Sequence, residues 1–217
     1  MRALLAVLVA LVCLAGCGRG DDDSASAGGD TTEVTECAEV DAPQARDPEP
    51  SEAPTTELDA SKTHTLTFDT SCGSFTVTLD PEEAPKTTAS LVALAKAGYF
   101  DETIFHRVVP GFVIQSGDPT QSGAGGPGYS TVDVPPPGSA YTQGVVAMAK
   151  SGVEAPGTAG SQFFVVTGAD AGLPPEYAIV GEVTEGMETV LRIDALGVGD
   201  GPPSHPVVVN TVTVGES

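Results

Sequence analysis

The sequence reads as a mainly β protein: a closed β-barrel carrying two α-helices. Three observations predict it. Strict alternation of apolar and polar residues begins at His64. Short apolar runs follow, separated by loops rich in Gly and Pro. Only two segments carry helical spacing.

The elements follow in order. In HTLTFDTSCGSFTVTLD, from His64, Leu66 and Phe68 share one face, and Phe75, Val77 and Leu79 form a second run. Thr residues take the opposite face and residues 70–74 supply a turn, which makes a β-hairpin. PKTTASLVALAKA, residues 85–97, places Leu91, Val92, Leu94 and Ala95 at helical spacing, with Pro85 in the first turn and Gly98 as the stop. Apolar runs at 108–113, 145–149, 163–167, 178–183 and 207–214 read as further strands. GMETVLRIDAL, residues 186–196, fits a second helix.

Composition divides the 217 residues into three parts. MRALLAVLVALVCLAGCG opens with a positive Arg2 and an apolar run of twelve residues from Ala3 to Leu14. That run is too short to span a bilayer of about 30 Å at 1.5 Å per residue. It has the shape of a signal peptide over residues 1–16. Leu14-Ala15-Gly16-Cys17 resembles the bacterial lipobox, which implies cleavage before Cys17 and a diacylglycerol on its sulfur; the alternative is a plain secretory signal cut near Ala15 or Gly16. Residues 17–63 carry 13 acidic and 3 basic side chains and almost no large apolar ones. Such a segment cannot offset its ordering entropy, so a disordered acidic tether is expected, with a short strand near Cys37 as the alternative. Residues 64–217 form the domain.

Net charge is −21, which excludes nucleic acid as a partner because phosphate neutralisation needs a basic face. Cys13 leaves with the signal. Cys37 and Cys72 remain in an oxidising compartment, where a disulfide is possible and two unpaired thiols are the alternative. His64, His106 and His205 have no ligand spacing, so no metal is expected. GAGGPG at 123–128 matches a dinucleotide fingerprint only literally: no strand-to-helix unit surrounds it, and Pro127 removes an amide that a phosphate would need.

The segment FHRVVPGFVIQSGDP, residues 105–119, is the densest in candidate chemistry. It holds Arg107, one of five basic residues after position 63. Two later segments, GVVAMAKSG at 144–152 and GSQFFVVTG at 160–168, have the same Gly-flanked, small and apolar form. Together with GAGGPGY, in this order and spacing, these segments resemble the cyclophilin-type peptidyl-prolyl cis-trans isomerases over about 150 residues. The resemblance implies eight antiparallel strands in the closed barrel, capped by two helices, with no cofactor.

It also implies a site. Arg107 falls on the family's catalytic position. Phe112, Val113 and Gln115 match the proline pocket and adjoining groove, with Gln115 holding the carbonyl side in catalysis. Ala149 and Lys150 match a strand that holds substrate backbone. Gln162 and Phe164 match the groove and pocket floor, Leu173 a further wall, and Tyr177 a position often held by His. Val113 stands where Met is common, Lys150 where Asn is common, and Gly172 where Trp is common. The last change argues against tight cyclosporin binding, and Lys150 removes an acceptor for substrate backbone. The expected function is isomerisation of X–Pro bonds in exported proteins by a lipid-anchored monomer on the extracytoplasmic face of the membrane. The alternative is a non-catalytic module that binds proline-containing peptides on the same fold.

Overall fold

The computed structural model describes residues 36–48 and 51–217. The expected signal peptide and the lipidation site Cys17 lie outside the described residues. β1 (His64–Thr70) and β2 (Gly73–Leu79) form the hairpin. Its two-residue loop ends at Gly73, whose φ of +108° suits a residue without a side chain. α1 (Pro85–Lys96) begins on Pro85 and stops before Gly98, which takes φ +67°. Then come β3 (Thr103–Ile104), β4 (Arg107–Val109), β5 (Val113–Ser116), β6 (Thr131–Val132), β7 (Val145–Met148), β8 (Thr158–Ala159), β9 (Phe163–Val166), β10 (Ile179–Glu185), α2 (Met187–Asp194) and β11 (Val208–Glu216).

Nine strands form one antiparallel sheet in the order β3-β11-β1-β2-β10-β7-β9-β5-β4, and β6 pairs with β8 in a small second sheet. The expected closed eight-stranded barrel is therefore corrected: the sheet is an open, curled half-barrel. β3 and β4 are its two edges although only Phe105 and His106 separate them in sequence. They are two and three residues long, and β4 spends an outward amide elsewhere, since Val108 N–H donates to Gly201 O at 2.7 Å. The run expected over 108–113 is divided by a turn at Gly111 (φ +68°), which makes two strands of one.

The curled sheet encloses Leu66, Phe68, Phe75, Val77, Phe105, Ile114, Phe163 and Val165, with Leu91 and Leu94 of α1 and Val190 and Ile193 of α2 packed into the same core. Phe68 and Phe75 are cross-strand partners and stack at 4.8 Å.

Residues 36–48, which the sequence places in the tether, are held on the domain. Cys37 is disulfide-bonded to Cys72 in the hairpin loop, and Ala38 N–H donates to Ser71 O. Arg46 donates through Nη2 to the carbonyls of Tyr99 (2.9 Å) and Asp101 (2.8 Å), just beyond α1. Residues 36–48 thus lie on the domain, and the 63/64 boundary read from composition falls too late. The apolar content that composition weighs is low here; a covalent bond and backbone carbonyls hold the segment instead.

The disulfide closes a loop across a sequence separation of 35. Reducing it in the full chain is expected to lower the unfolding free energy by about 3–4 kcal/mol through loop entropy. Denaturant titrations of oxidised and reduced protein measure this.

Candidate active site

The site grows from the outer faces of β5, β9 and β7, which lie side by side. Residues along a strand alternate between faces. Ile114, Phe163, Val165, Val146 and Met148 enter the interior core. Their neighbours Val113, Phe164, Val166 and Ala147 form a second apolar cluster on the other face. Phe112, on the turn before β5, packs against this cluster, as do Ala149, Leu173 and Tyr177. Six residues assigned to the site from sequence (Phe112, Val113, Ala149, Phe164, Leu173 and Tyr177) are thus brought together.

Tyr141 completes the cluster, fully buried. Its hydroxyl donates to Tyr177 O (2.8 Å) and accepts Tyr177 N–H (3.0 Å), which fixes the loop that presents Leu173 and Tyr177. The Tyr177 ring stands edge-on to Phe164, with centroids 5.7 Å apart. Sequence reading missed Tyr141, because it sits alone in a polar loop without strand alternation.

A polar row borders the apolar cluster. Arg107 of β4 lies opposite Gln115 of β5, and Gln115 opposite Phe164 of β9. Arg107 Nη1 approaches Gln115 Oε1 (3.4 Å), Gln115 Nε2 donates to Gln162 Oε1 (3.0 Å), and Gln162 Nε2 donates to Gly125 O (3.0 Å). Arg107 Cζ lies 6.0 Å from the centre of the Phe112 ring. Asp200 grips the far side of the guanidinium, accepting Nε–H at 2.5 Å and Nη2–H at 3.1 Å. The hydrogen bond from Arg107 holds the Asp200 carboxyl below its ordinary range, so it stays ionised at neutral pH. Asp200 lies in a Gly-rich loop 93 residues from Arg107, and no local pattern links the two. Burial holds the neighbouring His106 imidazole below its ordinary value, so His106 adds no second cation there.

The Lys150 side chain is held by its own partners. Its ammonium pairs with Glu176 Oε2 (3.1 Å) and donates to Glu154 O (3.3 Å), over the Tyr177 ring at 5.3 Å. It braces two loops, and its charge is already satisfied.

Beside the polar row opens a groove of about 780 Å³, lined by Gln115, Gln162, Ala149, Lys150 and the Gly-rich segment 123–128. Asp118 organises that segment from within. Burial alone would raise its carboxyl, but hydrogen bonds from Thr120, Gly125 and Gly123 reverse the effect and hold it low. A side chain at Gly125 would collide with Asp118 Oδ1, so glycine is required there. Among the described residues no group of three or more His, Cys, Asp or Glu is arranged to hold a metal ion.

The arrangement is an apolar wall with one cation and two amides along its rim. It suits binding and reshaping of an apolar, amide-bearing group. A family model described as cyclophilin type peptidyl-prolyl cis-trans isomerase/CLD matches residues 65–214. Peptidyl-prolyl cis-trans isomerase-like 1 of Aspergillus fumigatus is 44% identical over 132 residues, covering 59% of this chain and 80% of that protein. Probable peptidyl-prolyl cis-trans isomerase A of Mycobacterium leprae is 36% identical over 170 residues, covering 69% and 91%. The crystal structure of a Cryptosporidium parvum cyclophilin type isomerase in the presence of the dipeptide Ala-Pro superposes with a TM-score of 0.65 at 30% identity, covering 70% of this chain and 99% of that one. The family match includes every residue of the site just described, and the chain belongs to the cyclophilin-type peptidyl-prolyl cis-trans isomerase family.

Proposed function

We propose that this protein is a lipid-anchored peptidyl-prolyl cis-trans isomerase acting on exported polypeptides. The isomerase activity follows from the family and its named relatives. The placement of Arg107 at the rim of the apolar cluster carries the mechanism.

An X–Pro bond rotates over a barrier of about 18–20 kcal/mol, so the uncatalysed reaction takes tens to hundreds of seconds. The planar amide is polar because nitrogen shares its lone pair with the carbonyl. Twisting ends that sharing, so the transition state is less dipolar and its nitrogen can accept a hydrogen bond. An apolar wall of Phe112, Val113, Phe164 and Leu173 favours the twisted form. Arg107 has five N–H donors. Asp200 takes two and Gln115 faces a third, which leaves one on each terminal nitrogen for substrate. A hydrogen bond that is stronger in the twisted state accelerates rotation rather than merely binding substrate. Gln115 and Gln162, linked to each other, hold the carbonyl side.

Cys17 is the proposed site of lipid attachment. Lipid chains contribute about 0.8 kcal/mol per buried CH₂, and stable anchoring takes more than one. The Cys37–Cys72 disulfide supports an extracytoplasmic position, since such bonds persist in oxidising compartments.

Arg107→Ala is expected to lower kcat/KM on a prolyl peptide by about 10–150-fold, the worth of a charge-assisted hydrogen bond. Equal activity of variant and wild type would overturn the role of Arg107, whereas peptide binding with negligible turnover in the wild type would point to a non-catalytic binding module. Asp200 is a positioning residue: Asp200→Ala is expected to cut kcat about two- to fivefold, with KM unchanged and partial rescue by Asp200→Glu. Steady-state kinetics separate these constants. Cys17→Ser is expected to move the protein from the membrane to the soluble fraction, measured by cell fractionation.

A further inference from the structure

We propose that residues 36–48, together with Ser51, form a strap that sets the shape of the groove beside the proline site, so that long polypeptide substrates depend on it and minimal ones do not. The inference rests on the isomerase reading of that site. The strap is anchored at one end by the Cys37–Cys72 disulfide and along its length by Arg46, whose side chain grips the carbonyls of Tyr99 and Asp101. Between and beyond these anchors its described residues hydrogen-bond to the loop that walls the groove.

Three contacts make the connection. Gln121 Nε2 donates to Pro43 O at 2.9 Å. Arg46 N–H donates to Pro119 O at 3.0 Å. Ser51 donates through both its N–H and its hydroxyl to Pro127 O at 3.2 Å. Positions 119 and 121 precede the Gly-rich segment 123–128 that lines the groove, and Pro127 lies within it. Glycine backbones are free to choose among many conformations, so such a wall has no shape of its own. Asp118 fixes it from within, and the strap fixes it from outside. Gln121 itself sits at φ +59°, uncommon for a residue with a side chain. The hydrogen bond from its side-chain amide to Pro43 O stabilises that conformation.

Gln115 and Gln162 belong both to the polar row and to this groove. A polypeptide held at its proline and extending past these amides lies against the Gly-rich wall. A minimal substrate ends before it. Pro43, Arg46, Ser51 and Gln121 are therefore positioning residues for the extended substrate, and none of them touches the reacting bond.

The test uses the full chain with Arg46→Ala, Gln121→Ala and the double variant. NMR exchange spectroscopy compares kcat/KM on a blocked Ala-Pro dipeptide with that on a peptide carrying several residues on each side of the same bond. The expected result is a fall of about two- to tenfold for the long peptide only, the scale of one lost hydrogen bond. Equal losses on both peptides, or no loss on the long one, overturn the strap. Hydrogen exchange of the amides at 123–128 gives a readout independent of turnover: it should quicken in the variants, and unchanged protection also overturns the strap. A wild-type protein inactive on both peptides would refute the isomerase reading instead, leaving the exchange measurement to decide the strap.

Discussion

The site depends on β9 being buried on both faces. Phe163 and Val165 seal the interior of the curled sheet, while Phe164 and Val166 face the second cluster. Because adjacent residues on a strand must point in opposite directions, one four-residue segment serves both. A register slip of one residue would exchange the two sets and empty the pocket. The fold and the apolar wall are therefore one constraint, and the aromatic rings of Tyr141 and Tyr177 close the outer layer around Phe164.

The polar rim rests on that wall. The pairing of β4 with β5 and of β5 with β9 places Arg107, Gln115 and Phe164 in adjacent positions, so the cation inherits its location from the sheet. Its orientation comes from elsewhere. Asp200, on the loop between α2 and β11, holds one edge of the guanidinium, and the amide of Gln115, itself bonded to Gln162, faces the other. In a chain of net charge −21, a cation at the mouth of an apolar cluster that is bound side-on, rather than neutralised end-on, keeps donors free for a substrate.

The acidic segment joins this arrangement rather than merely preceding it. Arg46, one of three cations among residues 17–63, lies where α1 ends, and its backbone meets the groove loop. The loop is thus held between a buried carboxylate and a covalently anchored strap. The same stretch that carries the domain's tether character by composition contributes to its active-site geometry by contact.

Much of this was legible in the sequence, because period-two alternation, Pro85 with Gly98, and the Gly-flanked apolar runs each encode a local conformation directly. The hairpin, both helices and four of the five longer strand runs are of this kind; the grouping of Phe112, Val113, Phe164, Leu173 and Tyr177 was implied by the family resemblance instead, and the run at 108–113 hid a turn at Gly111. Strands of two or three residues carry no period, so β3, β6 and β8 were invisible, and with them the open seam between β3 and β4. Contacts over long separations were equally hidden. Asp200 on Arg107, Tyr141 under Tyr177, Glu176 on Lys150 and the strap on the groove loop join segments whose own patterns say nothing of each other. The sequence by itself determined which residues are apolar, where the chain turns and which cation stands among them. Only the tertiary structure decided what grips that cation and what holds the glycine wall, because those partners are chosen by the closing of the chain in space and not by its local preferences.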